Sequence, residues 1–105
     1  MVFASGGGGN FQALCDHFKD SSISVSALVV DRKCGAVEIA RNRSIPIFWV
    51  DFIKSEINIM AQLKNLPKCD LIALCGFNRI LPGRYLDSID IPVLNTHPSL
   101  LPAYG

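Results

Sequence analysis

No run in this 105-residue chain comes near the ~20 consecutive apolar residues of a membrane span. The first residues carry no charged segment leading into an apolar run and a cleavage site, so no secretory signal is visible. Charge of either sign is scarce. Ten Lys/Arg stand against nine Asp/Glu, a formal net charge of +1. The basic residues are scattered apart from the pairs Arg32/Lys33, Arg41/Arg43 and Arg79/Arg84. That pattern excludes a nucleic-acid stripe and a polybasic membrane patch. Cysteines 15, 34, 69 and 75 form no CxxC pair, and the two histidines complete no ligand cluster with them. No metal is therefore expected, and reduced thiols in a cytoplasmic protein are the simplest account. There is no Ser-His-Asp arrangement on a nucleophile elbow and no pair of carboxylates facing one cleft. Internal repeats and low-complexity linkers are absent too.

What remains is a chain half of whose residues are hydrophobic. It reads as one domain over 1–105, large enough for a packed core. Strand and helix alternate along it. Val2–Ala4 is a short strand, and Asn10 caps a helix reaching about Lys19 with Phe11, Leu14, Cys15 and Phe18 inward. Ser24–Val30 is a second strand, and 36–43 a helix burying Val37, Ile39 and Ala40. Pro46–Val50 suits an edge strand. Residues 54–66 read as a helix with Ile57, Met60, Ala61 and Leu63 inward. Leu71–Cys75 is a strand covered on both faces, Pro82–Leu86 a helical turn, and Pro92–Asn95 a last strand. The alternation predicts an α/β fold: a Rossmann-like, three-layer parallel sheet of strand order 3-2-1-4-5. Its order reverses between strands 1 and 4, so a ligand crevice is expected at their carboxyl ends.

Three segments converge there. Gly6 to Gly9, followed by Asn10, joins a strand to a helix start. Its backbone can approach an anion, which the free N–H groups and the dipole favour. A flexible capped turn reads equally well, because neither GxGxxG nor a P-loop is present. Gly76 to Pro82 follows the most apolar strand. Phe77, Ile80 and Leu81 either wall an apolar slot or simply pack on the core. Asn95 and His97 are two apart, so an amide and an imidazole point the same way if the strand persists. Pro98 holds His97 extended. Such a pair can hold the oxygen of a carbonyl under attack. His17, Trp49, Asp51 and Lys54 read as surface, edge or capping residues.

Together these residues resemble the folate-dependent formyltransferases. That family's pattern is Ser-Gly-x-Gly-Ser-Asn after the first strand, then Ala-Gly-Phe-Met-Arg-Ile-Leu, then Asn-x-His-Pro-Ser-Leu-Leu-Pro. Here the three read Ser5 to Asn10, Cys75 to Leu81, and Asn95 to Pro102. The resemblance covers nearly the whole chain, and its Pro-Ser form points to the branch that formylates glycinamide ribonucleotide in purine synthesis. It implies that Gly8, Gly9 and Asn10 cradle the ribose phosphate. It implies that Arg79, Ile80 and Leu81 line the site of 10-formyltetrahydrofolate, the formyl donor. Asn95 and His97 would be catalytic, donating hydrogen bonds to the oxyanion that forms as the amine attacks the formyl carbon. Small-molecule substrates, a monomer or homodimer, and neither a nucleic-acid nor a membrane partner go with it.

Three departures matter. Gly9 stands where the family has Ser, and Asn78 where it has Met. The family's catalytic Asp lies in a downstream segment that residues 1–105 lack, so this chain by itself is expected to turn over little or nothing. The chain reads as the amino-terminal half of such an enzyme, truncated at its C-terminus. The alternatives are a sibling enzyme, the deformylase or the methionyl-tRNA formyltransferase, and a non-catalytic phosphate-binding fragment.

Overall fold

The structure is a computed structural model that describes residues 1–6 and 8–96. Nine elements follow in order: β1 (Val2–Ala4), α1 (Gly9–His17), β2 (Leu28–Val30), α2 (Gly35–Asn42), β3 (Ile47–Trp49), α3 (Glu56–Lys64), β4 (Ile72–Cys75), α4 (Gly83–Ser88) and β5 (Val93–Thr96). The strands form one sheet of order β3-β2-β1-β4-β5, and every pairing is parallel. This is the doubly wound arrangement expected from the alternation.

The period of two along each strand divides the core into two halves. Phe3, Val29 and Ile72 face one way, against Ile59, Met60 and Leu63 of α3 and Tyr85 of α4. Val2, Ala4, Leu28, Val30, Ala73 and Cys75 face the other, against Phe11 and Cys15 of α1 and Ala36, Val37 and Ala40 of α2. Phe3, Phe11, Leu28 and Ile72 are fully buried, each stabilising the fold by about 1.5–3 kcal/mol relative to exposure. A sheet filled from both sides explains why β4 reads as a continuous apolar run.

Several boundaries and faces differ from expectation. Only Leu28–Val30 of the stretch 24–30 is strand, because β1 offers just three residues to pair with. In α3 the inward residues are Ile59, Met60 and Leu63; Ile57 and Ala61 are exposed. Ser55 caps α3 by accepting a hydrogen bond from the Asn58 N–H at 3.3 Å. Helix α1 begins two residues earlier than expected, with Gly8 rather than Asn10 at the cap and no side chain capping it. Trp49 sits on the edge strand and is half exposed.

Candidate functional site at the carboxyl rim

At the carboxyl end of β1 the chain must turn sharply into α1. Gly8 makes the turn with φ +96°, in the left-handed region that disfavours a side chain. A Cβ there would lie 2.8 Å from the Ala36 nitrogen and from Ile39 Cδ1. Gly8 therefore lets the start of α1 pack against the start of α2. The next residue differs. Nothing lies within 4 Å of a Cβ built on Gly9, which is exposed, as is Asn10. Both begin the first turn of α1, whose N–H groups have no intrahelical acceptor.

Beyond β4, Gly76 turns the chain at φ +61°. Phe77 then enters the core, its ring edge-on to Phe3 and Phe52 with centroids 5.4 and 5.3 Å away. Leu81 is buried as well, whereas Ile80 is 90% exposed. Core packing, not a slot, accounts for Phe77 and Leu81. Residues 78–80 bridge between these two anchors across the rim.

Polar contacts join three strand ends. Ser5, just past β1 and buried, accepts a hydrogen bond at 2.9 Å from the Asn78 N–H. Asp31, just past β2, accepts one at 2.8 Å from Arg79 Nε. Arg32 Nε approaches the same Oδ2 at 3.3 Å. The Asp31 side chain has no accessible surface, while that of Arg79 is 35% exposed. Burial pushes the Asp31 carboxyl up. The hydrogen bond from Arg79, with the Ser5 hydroxyl, the residue's own backbone and the Arg32 charge, outweighs this and leaves it below the usual value. Asp31 did not stand out in the sequence, and Ser5 entered it only as the first residue of the glycine motif. The one available signal was an acidic residue closing an apolar strand, and its partner lies 48 positions away.

Asn95 lies on β5 beside Leu74 of β4 and is exposed. The glycine turn, the Arg79 loop and Asn95 thus occupy the carboxyl ends of three adjacent strands, at the switch point. His97 lies outside the described residues. A groove of about 400 Å³ elsewhere is lined by Met1, Leu14, Phe18, Cys69 and Leu94, and none of the expected site residues borders it. Among the described residues no group of three or more His, Cys, Asp or Glu is placed to hold a metal. No helix among them is long and apolar enough to cross a membrane.

Fold and rim together define an α/β domain of the Rossmann-like class, whose strand order reverses between β1 and β4. The chain belongs to the formyl transferase family, whose profile matches residues 1–105. It is 37% identical to a phosphoribosylglycinamide formyltransferase of Mycobacterium tuberculosis, over 99% of this chain and 51% of that protein. It is 36% identical to the Bacillus subtilis protein of that name, over 98% and 57%. Among solved structures, phosphoribosylglycinamide formyltransferase of Coxiella burnetii superposes with a TM-score of 0.84 at 27% identity, covering 98% of this chain and 52% of that one. The Anaplasma phagocytophilum enzyme superposes with a TM-score of 0.78 at 31% identity, covering 98% and 50%. The chain therefore spans about half the length of these relatives.

Proposed function

We propose that this chain carries the amino-terminal part of a site that moves a formyl group from 10-formyltetrahydrofolate to the amine of glycinamide ribonucleotide, in cytoplasmic purine synthesis. The observation that carries the reading is the meeting of three family segments at one rim, on β1, β4 and β5. The first turn of α1 at Gly8, Gly9 and Asn10 receives the ribose phosphate through backbone N–H groups. Arg79, Ile80 and the backbone at Leu81 take the folate. Ile80 suits that role, because a bare isoleucine at a rim offers apolar surface to a flat heterocycle.

The chemistry is acyl transfer without a covalent enzyme intermediate. The amine lone pair attacks the formyl carbon, and the carbonyl electrons move to oxygen. The Asn95 amide donates to that oxyanion, and a protonated His97 adds a second, charge-assisted bond. Collapse expels the folate nitrogen, which takes up a proton, while the amine loses one. The carboxylate that performs the last task in the family has no counterpart by motif in residues 1–105. Residues 1–105 by themselves should therefore bind the substrates and turn over little or nothing.

Calorimetric titration with glycinamide ribonucleotide and with 10-formyltetrahydrofolate, singly and together, tests this. Tetrahydrofolate release is followed in parallel. Saturable binding of both, with the ribonucleotide displaced by inorganic phosphate, is expected. Ribonucleotide binding without any affinity for folate would refute the transferase reading and leave a phosphate-binding module. Formate release without an acceptor amine would point to the deformylase.

A further inference from the structure

We propose that Asp31 is a positioning residue that holds the Arg79 guanidinium, and with it the 78–80 bridge, in the orientation a folate ligand meets. The proposal rests on the assignment of that bridge to folate and deepens it.

The geometry of the carboxylate carries the argument. Oδ2 takes N–H groups from two guanidinium ions, with Arg79 Nε at 2.8 Å and Arg32 Nε and Nη2 at 3.3 and 3.4 Å. Oδ1 is buried and accepts no hydrogen bond of good geometry, although the Ser5 hydroxyl lies near enough to help hold the carboxyl below its usual value. A carboxylate placed for stability alone would have both oxygens satisfied, since an orphaned buried acceptor is destabilising. An apolar residue at the end of β2 would avoid that cost. The lopsided arrangement does one specific thing. It fixes Arg79 by its Nε edge and engages neither Nη nitrogen, and these have no hydrogen-bond partner among the described residues. Arg79 thus stands part-exposed, anchored on one side and open on the other. An arginine held this way loses little side-chain freedom when it meets a ligand anion.

The contact also closes a circuit. Ser5 after β1 holds the Asn78 N–H, and Asp31 after β2 holds Arg79. Consecutive residues of one loop are therefore tied to the ends of two different strands. Either tie alone would leave the bridge free to pivot about the other. Ile80, which follows without a polar tie and is almost fully exposed, takes its place on the rim from these two bonds and from the burial of Phe77 and Leu81.

The test uses the full chain and three variants: Asp31→Asn, Arg79→Met and the double substitution. Nitrogen-15 spectra read the arginine Nε–H signals, with that of Arg79 assigned by its loss in Arg79→Met. In the parent this proton should be shifted downfield and slow to exchange. In Asp31→Asn it should return to the position of the solvent-facing arginines. Affinity for 5-formyltetrahydrofolate, a stable isomer of the donor, should fall about tenfold in each single variant, the scale of one charge-assisted hydrogen bond. The double variant should fall no further than Arg79→Met alone, because Asp31 acts through Arg79. Ribonucleotide affinity should stay within about twofold. If Asp31→Asn does not fold, Arg79→Lys replaces it; that change keeps the charge opposite Asp31, removes Nε–H, and should weaken the folate analogue to a similar degree. Additive losses in the double variant, or an unshifted Arg79 signal in Asp31→Asn, would overturn the proposal. A parent that binds no folate would sink the functional reading instead, while the Nε–H signal still decides whether Asp31 orients Arg79.

Discussion

Replacing Gly8 by alanine is the sharpest test of how the glycine turn is built. Two costs coincide at that position. A left-handed backbone costs a non-glycine residue about 1–2 kcal/mol. The new Cβ would also sit 2.8 Å from the Ala36 nitrogen and 2.9 Å from the Gly35 carbonyl carbon, both backbone atoms of α2. Ile39 Cδ1, also at 2.8 Å, can rotate away, but the backbone cannot without moving the helix. Overpacking of that kind costs about 1–3 kcal/mol. Against this, alanine restricts the unfolded chain and returns about 0.4–1 kcal/mol. The net loss is about 1–4.5 kcal/mol, a sizeable part of the 5–15 kcal/mol available to a small domain. At about 4–8 °C per kcal/mol the melting temperature should drop by at least about 4 °C. Thermal unfolding followed by circular dichroism measures it, with Gly9→Ala as the control, since a Cβ on Gly9 meets nothing within 4 Å. A Gly8→Ala chain as stable as the control would show that α1 and α2 do not approach as closely as described here, and the phosphate site would lose its geometric basis.

Three further outcomes follow from neighbouring residues. Gly9→Ser fits the open space at the start of α1 and should leave the melting temperature within about 2 °C while tightening inorganic phosphate binding several-fold, read by calorimetry. Asp31 titrates below its ordinary value of 3.8 in the fold, so its contribution to stability is complete above that value and is lost as pH falls through the folded pKa. Acid unfolding of Asp31→Asn should accordingly begin from a lower stability and be shallower below about pH 4, and an unchanged acid limb would contradict the hold of Arg79 on the Asp31 carboxylate. Burial raises the Cys15 thiol above its usual 9.0, with the Arg43 charge only partly opposing it. At pH 8 a maleimide should therefore modify Cys34 and Cys69 well before Cys15, with mass spectrometry of the digested chain giving the order.

The strand order was legible because it rests on a local signal repeated along the chain. Apolar stretches such as Leu71–Cys75 alternate with helical spacing, and chain handedness restricts how those units can stack. Features that depend on a distant partner were not legible. The stretch 24–30 is uniformly favourable to strand, yet only three residues find a partner, because β1 is three residues long. Helix α3 carries isoleucines on two faces, and the choice of Ile59 over Ile57 is made by the packing of α3 on the sheet. The candidate site divides in the same way. Glycine runs and an amide at strand ends can be read from neighbours in sequence, so Gly8 and Asn95 were expected at this rim, and Arg79 entered through the family resemblance. Asp31 and Ser5 act through contacts 48 and 73 positions away, and only the fold reveals them.

The β4–α4 loop separates folding from binding within five residues, and a pair of substitutions can expose that division. Phe77 is buried against Phe3 and Phe52, and its truncation to alanine should cost about 3–5 kcal/mol, because the cavity would open between β1 and the segment after β3. Ile80 contributes almost nothing to the core, so Ile80→Ser should shift stability by no more than about 0.5 kcal/mol. If the rim takes a folate, the order reverses in a binding assay. Ile80→Ser, still folded and still tied through Ser5 and Asp31, should weaken 5-formyltetrahydrofolate by the loss of one apolar contact, about tenfold. Were Ile80→Ser to unfold the chain instead, the isoleucine would belong to the core and the bridge would be buried. Were it to leave both stability and folate affinity untouched, the ligand would not pass over residues 78–80, and Arg79 would be facing some other anion.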